Sequence, residues 1–116
     1  MNTQDLDPIV RQIVDRLKQL PISRVILFGS SAIGATTVGS DIDIAVVLEE
    51  PVAFENYDQR LETKSRIRQN ILDINRGTPI DIVLYTQAEY EDLLRYKGFL
   101  STEVVAKGRT VYERAG

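Results

Sequence analysis

The chain is organised around residues 26–48, ILFGSSAIGATTVGSDIDIAVVL. Val25, Ile26, Leu27 and Phe28 make the short apolar run of a buried strand. Gly29-Ser30 and a string of small residues follow, and a second apolar run opens with Asp41-Ile42-Asp43. Strand side chains alternate, so this predicts Asp41 and Asp43 on one face with Ile42 and Ile44 on the other. Two carboxylates roughly 6–7 Å apart, at an effective dielectric of about 20, repel by about 2–3 kcal/mol if both stay ionised. A divalent cation removes that cost. Magnesium takes oxygen ligands, typically one or two carboxylates plus substrate phosphates.

Composition narrows the chemistry further. There is no histidine and no cysteine among the 116 residues. Zinc sites built on those residues, Ser-His-Asp triads, histidine bases and disulfides are therefore excluded. Acid–base work falls to carboxylates, lysine or tyrosine. The net charge of −3 and a pI near 4.9 argue against free-standing nucleic-acid binding, which leaves a basic footprint. They leave an ATP site open, because metal ions neutralise phosphates locally. No apolar run approaches the ~18 residues of a membrane span, and the N-terminus lacks a signal-peptide core, so the expectation is a cytoplasmic protein. A chain this long suits one domain over residues 1–116, and a large acceptor must bring its own surface.

The remaining elements follow in order. Asp7 is a good N-cap, Pro8 fits the first helical position, and Ile9, Val10, Ile13, Val14, Leu17 and Leu20 form a stripe, predicting a helix over 5–20 that Pro21 ends. Arg24 to Phe28 is the first strand. Gly29-Ser30 leads into a possible helical turn at Ser30 to Ile33, which offers backbone N–H groups and a hydroxyl to an anion; a plain Ser-capped turn is the alternative. Ala35 to Ser40 is a loop and Asp41 to Leu48 the second strand. Leu61, Ile67, Ile71, Leu72 and Ile74 predict one long helix over 57–76 with a narrow buried stripe and Gly77 as a left-handed stop. Arg60, Lys64, Arg66 and Arg68 read as its solvated face. Ile80 to Tyr85 is a third strand, with Asp81, Val83 and Tyr85 on one side. Thr86 to Glu89 is a capping box opening a helix to Tyr96; Phe99 to Lys107 predicts a short helix, and Arg109 to Glu113 an edge strand. The sum is an α/β (α+β) fold, a small mixed sheet of three to four strands with helices packed on it.

Taken together, Gly29-Ser30, ten intervening residues, Asp41-x-Asp43 and a later strand carrying Asp81 resemble the signature of the DNA polymerase beta-like nucleotidyltransferases. Length and bare architecture are similar to the minimal nucleotidyltransferases (MNT), antitoxins of HEPN/MNT toxin–antitoxin pairs, and the resemblance covers nearly the whole chain. It implies a nucleotidyltransferase fold and a type VII-like antitoxin that moves AMP from ATP to a hydroxyl, that of a tyrosine, on a HEPN ribonuclease toxin. Asp41 and Asp43 match the metal-binding pair, Asp81 the third carboxylate beside the attacking hydroxyl, and Gly29 and Ser30 the element holding the nucleotide's phosphates. Two Mg²⁺ ions, ATP as substrate and a hetero-oligomer with the toxin are implied with it. One position departs: Ile33 stands where many relatives carry Arg. That favours an alternative, an antitoxin that neutralises its partner by binding alone and keeps a vestigial nucleotide site.

Overall fold

Alternation along the strands sorts the molecule into layers. A computed structural model describes residues 7–29, 41–96, 98 and 101–114. Among these, β1 (Ile22–Phe28), β2 (Ile42–Leu48), β3 (Ile80–Tyr85) and β4 (Arg109–Glu113) form one sheet in the order β3-β2-β1-β4. β1 is antiparallel to β2 and β4, while β2 runs parallel to β3. Parallel neighbours need a long crossover, and α2 (Tyr57–Asn70) with α3 (Leu72–Gly77) supplies it.

Val25, Leu27, Ile42, Ile44, Ile80 and Ile82 face one way, onto α1 (Pro8–Leu17) and the crossover. Val10, Ile13, Val14 and Leu17 of α1 and Ile67, Ile71 and Ile74 of the crossover complete that layer. Ile26, Ala45, Val47 and Tyr85 face the other way, onto Tyr90 of α4 (Gln87–Arg95) and Val104 of a π-helical turn, Ser101–Ala106. Asp43 and Asp81 belong to this second face by register, since Asp43 pairs with Asp81, Ala45 with Val83 and Val47 with Tyr85.

Several expected boundaries move. Asp7 Oδ1 accepts from the Ile9 N–H at 2.8 Å and Pro8 opens α1 as the sequence implied. The helix ends at Leu17 rather than at 20, because Gln19 and Leu20 donate three residues back, to Arg16 and Leu17, tightening the chain ahead of Pro21. The single helix expected over 57–76 is two. Ile71 leaves helical geometry at φ −115°, ψ 20° and donates to Arg68 instead of continuing the ladder. Leu61 and Leu72 do not join the buried stripe; they are 48% and 42% exposed. Gly77 closes α3 without a left-handed backbone, and the stop is the extended Thr78, whose N–H reaches Ile74 O. The helix expected over Phe99 to Lys107 is the wider π-helical turn, in which Lys107 N–H donates five residues back to Thr102 O at 3.0 Å. Strand β2 begins at Ile42, so Asp41 precedes it.

The capping box is formed in full. Thr86 Oγ1 accepts from the Glu89 N–H at 3.2 Å and Glu89 Oε1 accepts from the Thr86 N–H at 3.1 Å. Thr86 is completely buried, and its loss strands the part-buried Glu89 N–H. Thr86→Ala is expected to cost about 1–2 kcal/mol of stability. Urea denaturation reads this directly; an unchanged midpoint would contradict it.

Candidate active site

Register brings the acids together. The β2–β3 pairing places Asp43 directly beside Asp81, and the β1–β2 pairing places Phe28 opposite Asp43. Gly29 follows Phe28 and adopts φ +62°, a left-handed backbone that residues with a Cβ avoid. A Cβ at Gly29 would stand 2.5 Å from Asp43 Oδ2. The Gly29 backbone thus lies against the Asp43 carboxylate, which an added Cβ would displace. Three strand ends meet here: the carboxyl end of β1 and the amino ends of the parallel pair. Open α/β sheets usually bind ligands at the carboxyl ends of their strands; in this sheet the polar cluster lies at the opposite end of β2 and β3.

Charge explains the state of Asp43. Burial pushes its carboxyl above the ordinary range, and the charges of Asp81 and Asp41, with the hydrogen bond that a protonated Asp43 donates to Asp81, push it the same way. Asp41 acts through charge alone and is exposed, as is Asp81. Neither Asp41 nor Asp81 forms an ion pair among the described residues. A group whose folded pKa is raised stabilises the fold below its unfolded value, about 3.9, and that contribution is lost as pH rises through the raised value. The opposite sign holds at Asp73, whose carboxyl the Arg16 guanidinium holds down and whose contribution is lost on acidification. Comparison with Asp43→Asn isolates the first effect. In EDTA the variant is expected to be more stable than the parent near pH 7. The gap should close below about pH 4. Thermal melts across that range check it; a gap that widens on acidification would contradict the sign.

The donor set suits a hard cation. Asp43 and Asp81 offer carboxylate oxygens on adjacent strands, and their mutual repulsion is what such an ion relieves. As placed, no group of three or more His, Cys, Asp or Glu among the described residues is gathered tightly enough to hold a metal ion. Register pairs Asp43 with Asp81, and Asp41 precedes the strand. Ser30 and Ile33 lie outside the described residues.

A second polar feature lies toward the carboxyl end of β3, away from the acids. Arg60, read from the sequence as part of a solvated face, donates to Leu84 O at 2.6 Å and pairs with Glu89 at 2.5 Å. Its guanidinium also lies over the Phe54 ring, 4.7 Å from the centroid. With Lys64 and Asp92 these side chains border a groove of about 520 Å³ along β3, floored by residues 82–85. The only local hint was Glu89, which the capping box holds in place; that Arg60 reaches it is a tertiary fact.

No curated protein matches the chain closely enough to count as a relative. Among solved structures, a crystal structure of a toxin–antitoxin with AMP-PNP is similar in fold, at 23% identity and a TM-score of 0.52, covering 98% of this chain and 75% of that one. A mutant of the toxin–antitoxin MntA-HpeT aligns at 21% identity and a TM-score of 0.49, over 98% of this chain and 75% of that one. The model of the nucleotidyltransferase domain matches residues 10–109, spanning β1 with its glycine turn and both acidic strands. The chain belongs to the nucleotidyltransferase domain family.

Proposed function

We propose that this chain is the antitoxin of a toxin–antitoxin pair and transfers AMP from ATP to a tyrosine hydroxyl of a HEPN ribonuclease toxin, silencing it. The observation that carries the reading is Asp43 set beside Asp81 on parallel strands, with the left-handed Gly29 packed on the Asp43 carboxylate. Fold likeness to a toxin–antitoxin with AMP-PNP supports the nucleotide and the partner.

Each residue then has a defined task. The acceptor oxygen attacks the α-phosphorus in line, the bond to the bridging oxygen breaks, and pyrophosphate leaves. Asp81, exposed at the head of β3, takes the proton of the acceptor hydroxyl. Tyrosine, with a pKa near 10, gives up that proton more easily than an aliphatic alcohol. Asp41, Asp43 and Asp81 would hold Mg²⁺. When bound, the ions neutralise the triphosphate and stabilise the entering and leaving oxygens. Gly29, lacking a side chain, lets the backbone of the turn come close to the β- and γ-phosphates.

The test mixes the purified chain with labelled ATP, magnesium and the protein encoded beside it. Label is expected on that protein and not with the Asp41→Asn, Asp43→Asn double variant; equal labelling by both would overturn the mechanism. Ile33, in place of the usual Arg, favours a second reading in which binding alone neutralises the toxin. Under it the double variant still protects cells.

A further inference from the structure

The hydrogen-bond pattern of β3 leaves part of the strand unused. Ile42 N–H donates to Pro79 O at 2.9 Å. In a parallel ladder this fixes the rest: Asp81, Val83 and Tyr85 turn their backbone groups toward β2, while Ile80, Ile82 and Leu84 turn theirs outward. Two outward groups are occupied. Ile80 N–H donates to Asn75 Oδ1 at 2.8 Å, and Leu84 O accepts from Arg60 at 2.6 Å. Between these stops, Ile80 C=O, both groups of Ile82 and Leu84 N–H meet no partner among the described residues. Protein edges are normally blunted along their length; among the described residues this one is stopped at its ends, and between them Ile82 and Leu84 line the groove.

The groove along that edge carries two further unmet demands. Tyr85 is 9% exposed, yet its buried hydroxyl has no hydrogen-bond partner among the described residues, a state that calls for a ligand group or water. Among the charges bordering the groove, Arg60 is paired with Glu89, and Asp92 lies 3.7 Å from Arg95. Lys64 alone forms no ion pair among the described residues.

We propose that the open edge of β3 is where the protein acceptor docks: an extended segment adds itself as a fifth strand, an acidic residue meeting Lys64 and a hydroxyl-bearing residue standing opposite Asp81. The proposal rests on the transferase reading above and specifies how the acceptor is presented. Strand addition takes affinity from main-chain hydrogen bonds, which the edge offers. Residues opposite one another on neighbouring strands share a face with their Cβ atoms about 4.5–5.5 Å apart. An acceptor side chain at that rung therefore stands beside Asp81, on the face of Asp43. Hydroxyl and base are brought together by register, without a separate acceptor pocket.

Hydrogen exchange on the full chain reads this directly, because the Ile82 and Leu84 amides have no hydrogen-bond acceptor among the described residues of the free protein. With the protein encoded beside this chain, magnesium and a non-hydrolysable ATP analogue, the Ile82 and Leu84 amides are expected to slow at least about tenfold. Lys64→Glu is expected to raise the KM for the protein acceptor about fivefold. The KM for ATP, kcat at saturation and the melting temperature should not move. Label transfer with unchanged exchange at both amides, or with an unchanged acceptor KM in Lys64→Glu, would overturn the docking strand and leave the transferase reading standing. No transfer to the partner would remove that reading, and the docking strand with it.

Discussion

Asp43→Asn is expected to lower AMP transfer about a thousandfold while leaving the fold intact. Asp43 is the member of the trio that lies beside Asp81, opposite Phe28 and against Gly29. Removing its charge weakens the hold on a cation at the reacting phosphate. A unit charge at about 4 Å and an effective dielectric of about 20 is worth about 4 kcal/mol. At about 1.4 kcal/mol per decade, that is close to three orders of magnitude in rate. The same substitution removes a repelled, partly buried carboxylate, so stability at neutral pH moves the other way. A loss of rate joined to a gain in stability marks a functional group held against the preference of the fold. Single-turnover kinetics with labelled ATP measure the first half. A variant retaining a tenth or more of the parent rate would place the decisive charge elsewhere.

Gly29→Ala is expected to cost about a hundredfold in transfer and about 1–2 kcal/mol in stability. The stability loss comes from forcing a Cβ into the left-handed region at φ +62°. The rate loss has a different origin. The added methyl would meet Asp43 Oδ2 at 2.5 Å, and the carboxylate can escape by turning on its own side chain. The clash is thus relieved cheaply for the fold and expensively for catalysis, because an oxygen that must point at a cation is turned aside. Misplacement by about 1 Å is enough for a hundredfold effect. The prediction separates from a folding defect by dose: a melting temperature lowered by about 4–8 °C per kcal/mol leaves the variant folded at 25 °C. Full activity in a folded Gly29→Ala would show that the contact between turn and carboxylate has no part in the reaction.

Much of this site was written locally. The alternation Asp81-Ile82-Val83-Leu84-Tyr85 states which side chains share a face, and the structure keeps that division, with Ile82 and Leu84 in one core layer and Tyr85 in the other. Asp7-Pro8 and Thr86-x-x-Glu89 open their helices where capping chemistry places them. That the fold would be a mixed sheet followed from strands separated by a helical crossover. What sequence could not carry was pairing across distance. Nothing local says that Asp43 stands level with Asp81 rather than one rung away; the parallel register decides it. Nothing local breaks the helix at Ile71, which is buried at the break. Arg60 looked like any other exposed charge on α2, and only the packing of α2 against β3 and α4 turns it into a plug for Leu84 O and a partner for Glu89. Gly77 and Gly29 illustrate the same limit. Both are glycines at the end of an element, and among the described residues only Gly29 is left-handed, where an added side chain would also meet the Asp43 carboxylate.

The most direct test is a crystal structure of the chain with magnesium and a non-hydrolysable ATP analogue. The account predicts carboxylate oxygens of Asp41 and Asp43 within about 2.0–2.1 Å of a cation, Asp81 facing the same ion, and the triphosphate lying over the Gly29 turn. A nucleotide bound elsewhere, or one whose magnesium is held without Asp43, would contradict it.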